Sequence, residues 1–173
     1  MFNTCSQFSS NSSPADKLTN QLIRRVSQKL SKIYNLKLSA IGGGQDKEGV
    51  WLITAMYDLY GKPLNVKQAR IIIVNMVEEY LNEVNNDEKL RPYLKNYPFT
   101  IMNLNLDIIT YKNDQTDYFD PDLDTISTIK MNIDYTTRDP NNPYNYKDSF
   151  TEKYADALEI VRNSGQLISD KQN

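Results

Sequence analysis

The feature that most constrains this chain is the run Ile71-Ile72-Ile73-Val74 and its helical continuation through Met76, Val77, Tyr80, Leu81 and Val84. Apolar residues spread over so broad an arc predict a helix at about 66–84 with little surface suited to water, which places it at the centre of a core. The run stops at Asn75, far short of the roughly 20 apolar residues that a membrane span needs. Its start is specified locally. Asn65 with Gln68 three residues on reads as a capping box, and Leu64 can staple the first turn.

A helix of that kind has to be covered, and period-two stretches supply the cover. Around 100–111, Met102, Leu104, Leu106 and Ile108 alternate with Asn103, Asn105 and Asp107; around 125–135, Ile129, Met131, Ile133 and Tyr135 are expected to point inward. This is the pattern of a hairpin with one apolar and one wet face. Upstream, Leu36, Leu38 and Ala40 form a short strand, Gly42-Gly43-Gly44 through Gly49 a loop, and residues 50–60 a second strand with Trp51, Ile53, Ala55, Tyr57 and Leu59 on one face. A basic amphipathic helix at about 15–34 precedes them, with Ser13 as cap and Pro14 in the first turn. Leu18, Leu22, Val26, Leu30 and Ile33 form its apolar face beside Arg24, Arg25, Lys29 and Lys32. After a Pro/Asn/Tyr loop from Arg138 to Lys147, Ser149-Phe150-Thr151-Glu152 is read as the opening of a last helix that stops near Gly165. The expected fold is α+β in the order α-ββ-α-ββ-α, a two-layer arrangement of a four-stranded antiparallel sheet packed on helices. Residues 1–14 read as a Ser/Asn-rich tether, 15–165 as one domain and 166–173 as a frayed tail.

The side chains that are missing limit the chemistry. The sequence has no histidine and one cysteine, Cys5, which excludes Ser-His-Asp and Cys-His nucleophiles, the usual zinc sites and any internal disulfide. A net charge of −2 gives no reason to expect nucleic acid. The charge is unevenly placed: residues 15–37 hold Lys17, Arg24, Arg25, Lys29, Lys32 and Lys37 against Asp16 alone, and 103–124 hold six aspartates against Lys112. Solvated faces routinely carry such blocks.

Gly42-Gly43-Gly44 lead into a strand and lack the Gly-Lys-Ser/Thr that a phosphate loop runs into its helix, so they are read as a permissive loop. Asp120, Asp122 and Asp124 alternate as calcium ligands do in an EF-hand, but Thr125 stands where glycine is required and Met131 where a glutamate would close the site. They remain only a weak Ca²⁺ candidate; no metal and no cofactor is expected. Tyr135, Asn141, Asn142, Tyr144 and Tyr146 are the binding candidates of the later loops, suited to stacking on and hydrogen-bonding a sugar. Arg91, Tyr93 and Tyr97, in a segment rich in rings and prolines, are candidates for a contact surface or for packing around a sheet edge. A hydrolase using two carboxylates would need them to face each other across a cleft, which the sequence does not indicate, and no catalytic residue is assigned.

Cys5 followed by Ser-Gln-Phe-Ser-Ser-Asn-Ser-Ser-Pro looks like the start of a mature bacterial lipoprotein, with Cys5 as the lipidation candidate. Thr4 in place of a small residue and the absence of a basic-plus-apolar signal segment depart from that pattern. The segment Arg91-Pro92-Tyr93-Leu94-Lys95-Asn96-Tyr97-Pro98-Phe99-Thr100, and more loosely Asp139-Pro140-Asn141-Asn142 through Tyr146-Lys147, resembles a family of uncharacterised small proteins of intracellular Gram-negative bacteria, over about 45–164. The resemblance implies a secreted or lipid-anchored protein and supplies no activity or catalytic residue. The reading that results is a non-enzymatic, envelope-associated protein that contacts a partner protein or a cell-wall component. Its alternatives are a cytosolic interaction or regulatory module and, third, a carboxylate-dependent hydrolase.

Overall fold

The computed structural model describes residues 12–168. Cys5 and all but the last three positions of the expected tether lie outside them. The described chain runs α1 (Pro14–Tyr34), β1 (Lys37–Asp46), β2 (Gly49–Tyr60), α2 (Val66–Asn86), β3 (Leu104–Tyr111), β4 (Leu123–Ile129), β5 (Asn132–Asp139), β6 (Asn142–Lys153) and α3 (Tyr154–Asn163), with 3-10 turns at Arg91–Tyr93 and Ile101–Asn103. Both expected caps form: Ser13 and Asp16 bracket the start of α1, and Asn65 and Gln68 that of α2.

The expectation of four antiparallel strands is overturned. One six-stranded sheet in the order β1-β2-β3-β4-β5-β6 is antiparallel throughout except where β2 pairs with β3 in parallel. That one parallel pairing follows from α2, because a chain that leaves β2 through a 21-residue helix and returns beside it arrives in the same direction. The α+β class itself stands.

Two extra strands come from local reversals. The stretch expected to be one strand at 125–135 turns back at Lys130-Met131, with Lys130 in the left-handed region at φ 56°. The turn shifts the inward parity: Ile126 and Thr128 are buried, whereas Ile129 and Met131, expected inside, are exposed, Met131 at 61%. From Asn142 on, the Pro/Asn/Tyr loop joins the expected helix start at Ser149–Glu152 in β6, while Arg138 and Asp139 end β5. Strand wins there because Phe150 lies opposite Tyr135 and stacks on it at 5.8 Å, while Glu152 lies opposite Ile133 and is held from α2 by Arg70.

Four smaller expectations are also corrected. Gly42-Gly43-Gly44 lie inside β1, where a Cβ on Gly43 would come within 2.5 Å of the Leu52 carbonyl oxygen and one on Gly44 within 2.3 Å of the Trp51 ring. Close approach of a neighbour accounts for these strand glycines. Trp51 bulges out between the pairs Gly44–Leu52 and Gln45–Val50, so Val50 takes the buried place expected for it. Met102 sits in a 3-10 turn and faces solvent, with Ile101 and Asn103 buried on either side. Of the tail expected to fray, residues 166–168 are docked: Leu167 is buried, and the Asn75 side chain accepts the Ile168 N–H at 2.8 Å and donates to the Gln166 carbonyl at 3.0 Å.

The helices cover one face of the sheet. Ile73, Val74, Met76, Val77, Tyr80 and Val84 of α2 are fully buried with Leu22, Ile23 and Val26 of α1, against Ile53, Ala55 and Tyr57 of β2 and Leu106 and Ile108 of β3. Within this apolar layer runs a chain of hydroxyls. Ser27 Oγ donates to the Ile23 carbonyl at 2.7 Å, which uses its only proton. Tyr57 Oη must therefore donate to Ser27, and Tyr80 Oη to Tyr57, each at 2.7 Å. Burial raises both phenols above their ordinary pKa, Tyr80 well above, and keeps them protonated donors.

The order of the chain ranks the variants. Tyr80→Phe removes the terminal donor and leaves one acceptor unmet, so it is expected to cost about 1 kcal/mol. Tyr57→Phe strands the buried Tyr80 O–H as well, and the expected cost is about 2–3 kcal/mol. Urea denaturation of the two variants checks the ranking, and equal losses would contradict the assigned donor directions.

Candidate functional site

No described element covers the face of the sheet away from the helices, and toward β6 that face carries a groove of about 430 Å³. Cross-strand register builds its floor. Thr125, Thr136 and Ser149 lie in one row across β4, β5 and β6, and Ser127, Asp134 and Thr151 in the next. Lys147 and Asp148 of β6 and the ring of Tyr146 add to the lining. Alternation produces this surface. Ile126, Thr128, Ile133 and Tyr135 face the helices, which leaves the hydroxyl-bearing positions on the wet side.

The tip above the groove is shaped by the β5–β6 connection. Arg138 pairs with Tyr146 and Asp139 with Asn142, which pushes 143–145 out of register. The Asp139 side chain accepts the Asn141 N–H at 2.8 Å, and the Asn142 side chain accepts the Tyr144 N–H at 3.3 Å. Tyr144 is consequently 97% exposed and Tyr146 65%. Asn141, Asn142, Tyr144 and Tyr146 are thus brought together on one hairpin, although they stand on a strand and its turn instead of a long loop.

Tyr135 does not belong with them. It is buried, and its hydroxyl donates at 2.6 Å to Glu152 Oε1, which also accepts from Arg70 Nε at 2.8 Å. Burial, followed by the adjoining Glu152 carboxylate, holds the Tyr135 phenol far above its usual pKa. Its role is to tie β5 and β6 to α2, and its candidacy as a ligand contact is corrected.

Arg91, Tyr93 and Tyr97 lie on the segment that wraps the β1–β2 hairpin, where the Lys95 N–H donates to the Val50 carbonyl at 2.9 Å. Arg91 sits over the Tyr97 ring at 4.8 Å, and both side chains donate to the Asn85 carbonyl, at 3.2 and 3.3 Å. Asn85 in turn brackets Phe99, accepting its N–H at 2.7 Å and donating to its carbonyl at 3.0 Å. These groups serve one another as a clamp. Because β1 and β6 are the two edges of the sheet, this cluster and the Tyr144–Tyr146 hairpin lie toward opposite margins.

The three aspartates proposed as a calcium site are separated. Asp124 is a bulge residue turned into the protein, where Arg138 Nη2 lies 2.9 Å from its carboxylate and the Thr125 hydroxyl donates to it at 2.8 Å. Asp120 accepts from Thr137 at 2.9 Å, and Arg138 Nη1 reaches Asp117 at 2.9 Å. Among the described residues no three Cys, Asp or Glu side chains converge as a metal site requires. The Arg138 to Asp124 pairing was not legible beforehand, since nothing local marks a buried carboxylate fourteen positions from its partner. Within the groove, Asp134 is half-buried and Asp148 exposed. As placed, they are hydrogen-bond acceptors.

The class defined by these features is an α+β domain whose mixed six-stranded sheet is covered on one face by helices and, among the described residues, open on the other. No family model, no curated protein and no solved structure matches the chain.

Removing one member of the buried ion pair tests how the acidic loop is held. Arg138→Met leaves the Asp124 charge buried without its partner and is expected to cost about 3–5 kcal/mol, most of it recovered in the double variant Asp124→Leu/Arg138→Met. Thermal or urea unfolding reads the difference. A double variant no more stable than the single one would contradict the assignment.

Proposed function

We propose that the protein is a non-enzymatic binding protein of the cell envelope that holds a saccharide component of the cell wall in the groove beneath Tyr146. The observation that carries the reading is the lining: hydroxyls of Thr125, Ser127, Thr136 and Ser149 with the Asp134 carboxylate form a polar floor, and one exposed aromatic ring stands beside it. Sugars combine apolar C–H faces with rings of hydroxyls, and such a surface can meet both at once. Tyr144 on the same hairpin offers a second ring. The support for the envelope comes from the sequence: Cys5 followed by an uncharged Ser/Asn-rich stretch, as at the start of a tethered lipoprotein.

Calorimetric titration with soluble peptidoglycan fragments tests the binding. The wild type should bind, and Tyr146→Ala should weaken binding about tenfold, equivalent to about 1.4 kcal/mol of stacking. Because Tyr146 is exposed, the variant should unfold at the same denaturant concentration as the wild type. No measurable binding by the wild type, or equal binding by the variant, would remove the saccharide reading. The tether is tested separately. Intact-mass analysis of the protein taken from its native cells should show acyl chains on Cys5, whereas a free thiol would leave the cytosolic interaction module.

A further inference from the structure

The basic face of α1 is divided between two uses. Arg25 reaches Asp87 at 2.8 Å and Glu83 at 3.5 Å on α2, and Lys29 reaches Glu79 at 2.6 Å as well as Glu83, so these two cations fasten the helices together. Arg24 and Lys32 make no ion pair among the described residues and are exposed. With Gln28 between them they form an i, i+4, i+8 ridge along the helix. That ridge borders a groove of about 720 Å³, whose other wall is the start of β1 at Leu36, Lys37 and Leu38. Arg24 and Lys32 supply the cations and no carboxylate lines the groove; Lys37 enters through its strand position, its ammonium lying over the Tyr60 ring at 6.0 Å on the other face of the sheet.

The strand wall has an open side. β1 is an edge of the sheet: it pairs with β2, and its other side pairs with no strand among the described residues. It contains no proline, so nothing in its sequence removes the N–H groups that another strand would use. A helix ridge running beside an open strand edge is the geometry in which an extended peptide adds to a sheet, with main-chain bonds to the edge and side chains on the helix.

We propose that this groove receives an extended acidic segment of a partner protein, added as a seventh strand on β1, with its carboxylates on Arg24 and Lys32. Charge complementarity selects the occupant. The whole molecule carries −2 and repels an acidic chain at a distance, so capture depends on this local cluster. From Arg24 to Lys32 the helix rises about 12 Å, the span of about four residues of extended chain. A single small anion would leave most of that length unused. A single-stranded nucleic acid would call for aromatic platforms, and no aromatic side chain lines the groove. A membrane surface would call for an apolar rim, whereas Leu36 is buried and Leu38 half-buried. The proposal is independent of the saccharide reading, because the two sites lie at opposite edges of the sheet.

The experiment uses the full chain and a fluorescein-labelled, end-blocked peptide of about eight residues alternating Glu and Val, followed by fluorescence anisotropy at low salt. The peptide should bind, and R24E/K32E should weaken it by about tenfold or more, while K67E, which reverses an exposed cation at the start of α2, leaves it unchanged. Two further peptides carry backbone N-methyl groups on one or the other alternating set of amides. A strand added to β1 uses only one of those sets, so one peptide should lose about tenfold and the other bind as the parent does. Hydrogen exchange of the amides at 37–41 should slow in the complex. The proposal fails if the parent peptide does not bind, if both N-methylated peptides bind as well as the parent, or if K67E weakens binding as much as R24E/K32E. It also fails if an oligothymidylate or phosphatidylglycerol vesicles displace the peptide from the wild type but not from R24E/K32E.

Discussion

The structure depends on the need to bury α2 on nearly every side. A helix with Ile73, Val74, Met76, Val77, Tyr80 and Val84 all sealed from water cannot lie on a surface, so α1, the sheet and the docked tail are arranged around it. The same helix dictates topology. By carrying the chain from β2 across to β3 it makes their pairing parallel, and the remaining strands extend as simple antiparallel neighbours toward β6.

Polar groups buried in that core give it direction. A purely apolar interface tolerates sliding, but the chain from Tyr80 through Tyr57 to Ser27 fixes α2, β2 and α1 relative to one another by hydrogen bonds of 2.7 Å. Arg70 performs the corresponding task at the far edge, where it and Tyr135 meet on Glu152 and hold β5 and β6 to the helix layer. Asn75 and Asn85 pin irregular segments whose backbone would otherwise go unpaired. With one face occupied in this way, no described element covers the other, and both proposed binding regions lie away from the packed core.

The first two helices were legible because capping and periodicity are local, whereas Ser149–Glu152, read as the opening of the third, is strand. Ser13-Pro14 and Asn65 with Gln68 marked the starts of α1 and α2, and both caps form. Leu104, Leu106 and Ile108 of β3 and Ile53, Ala55 and Tyr57 of β2 face inward as their alternation implied. Reading failed where a turn lacks its usual residues. Ile129-Lys130-Met131-Asn132 contains neither Gly nor Pro, yet the chain reverses there, and one missed turn displaced Ile129 and Met131 to the surface and concealed a strand. Of the candidate site, the aromatic and amide residues of the β5–β6 hairpin were found by composition, whereas the hydroxyl floor of Thr125, Ser127 and Thr136 emerged only after the strands were in register.

Sequence by itself determined where α1 and α2 begin and run, which side of β2 and β3 would be dry, and that chemistry based on histidine is excluded, because capping, periodicity and residue type act over a few neighbouring positions. Tertiary structure decided the number of strands, the parallel pairing, the burial of Tyr135 and the partnership of Arg138 with Asp124. Those outcomes are set by groups distant along the chain competing for the same space and the same hydrogen bonds, and such competition has no signature in any single stretch of residues.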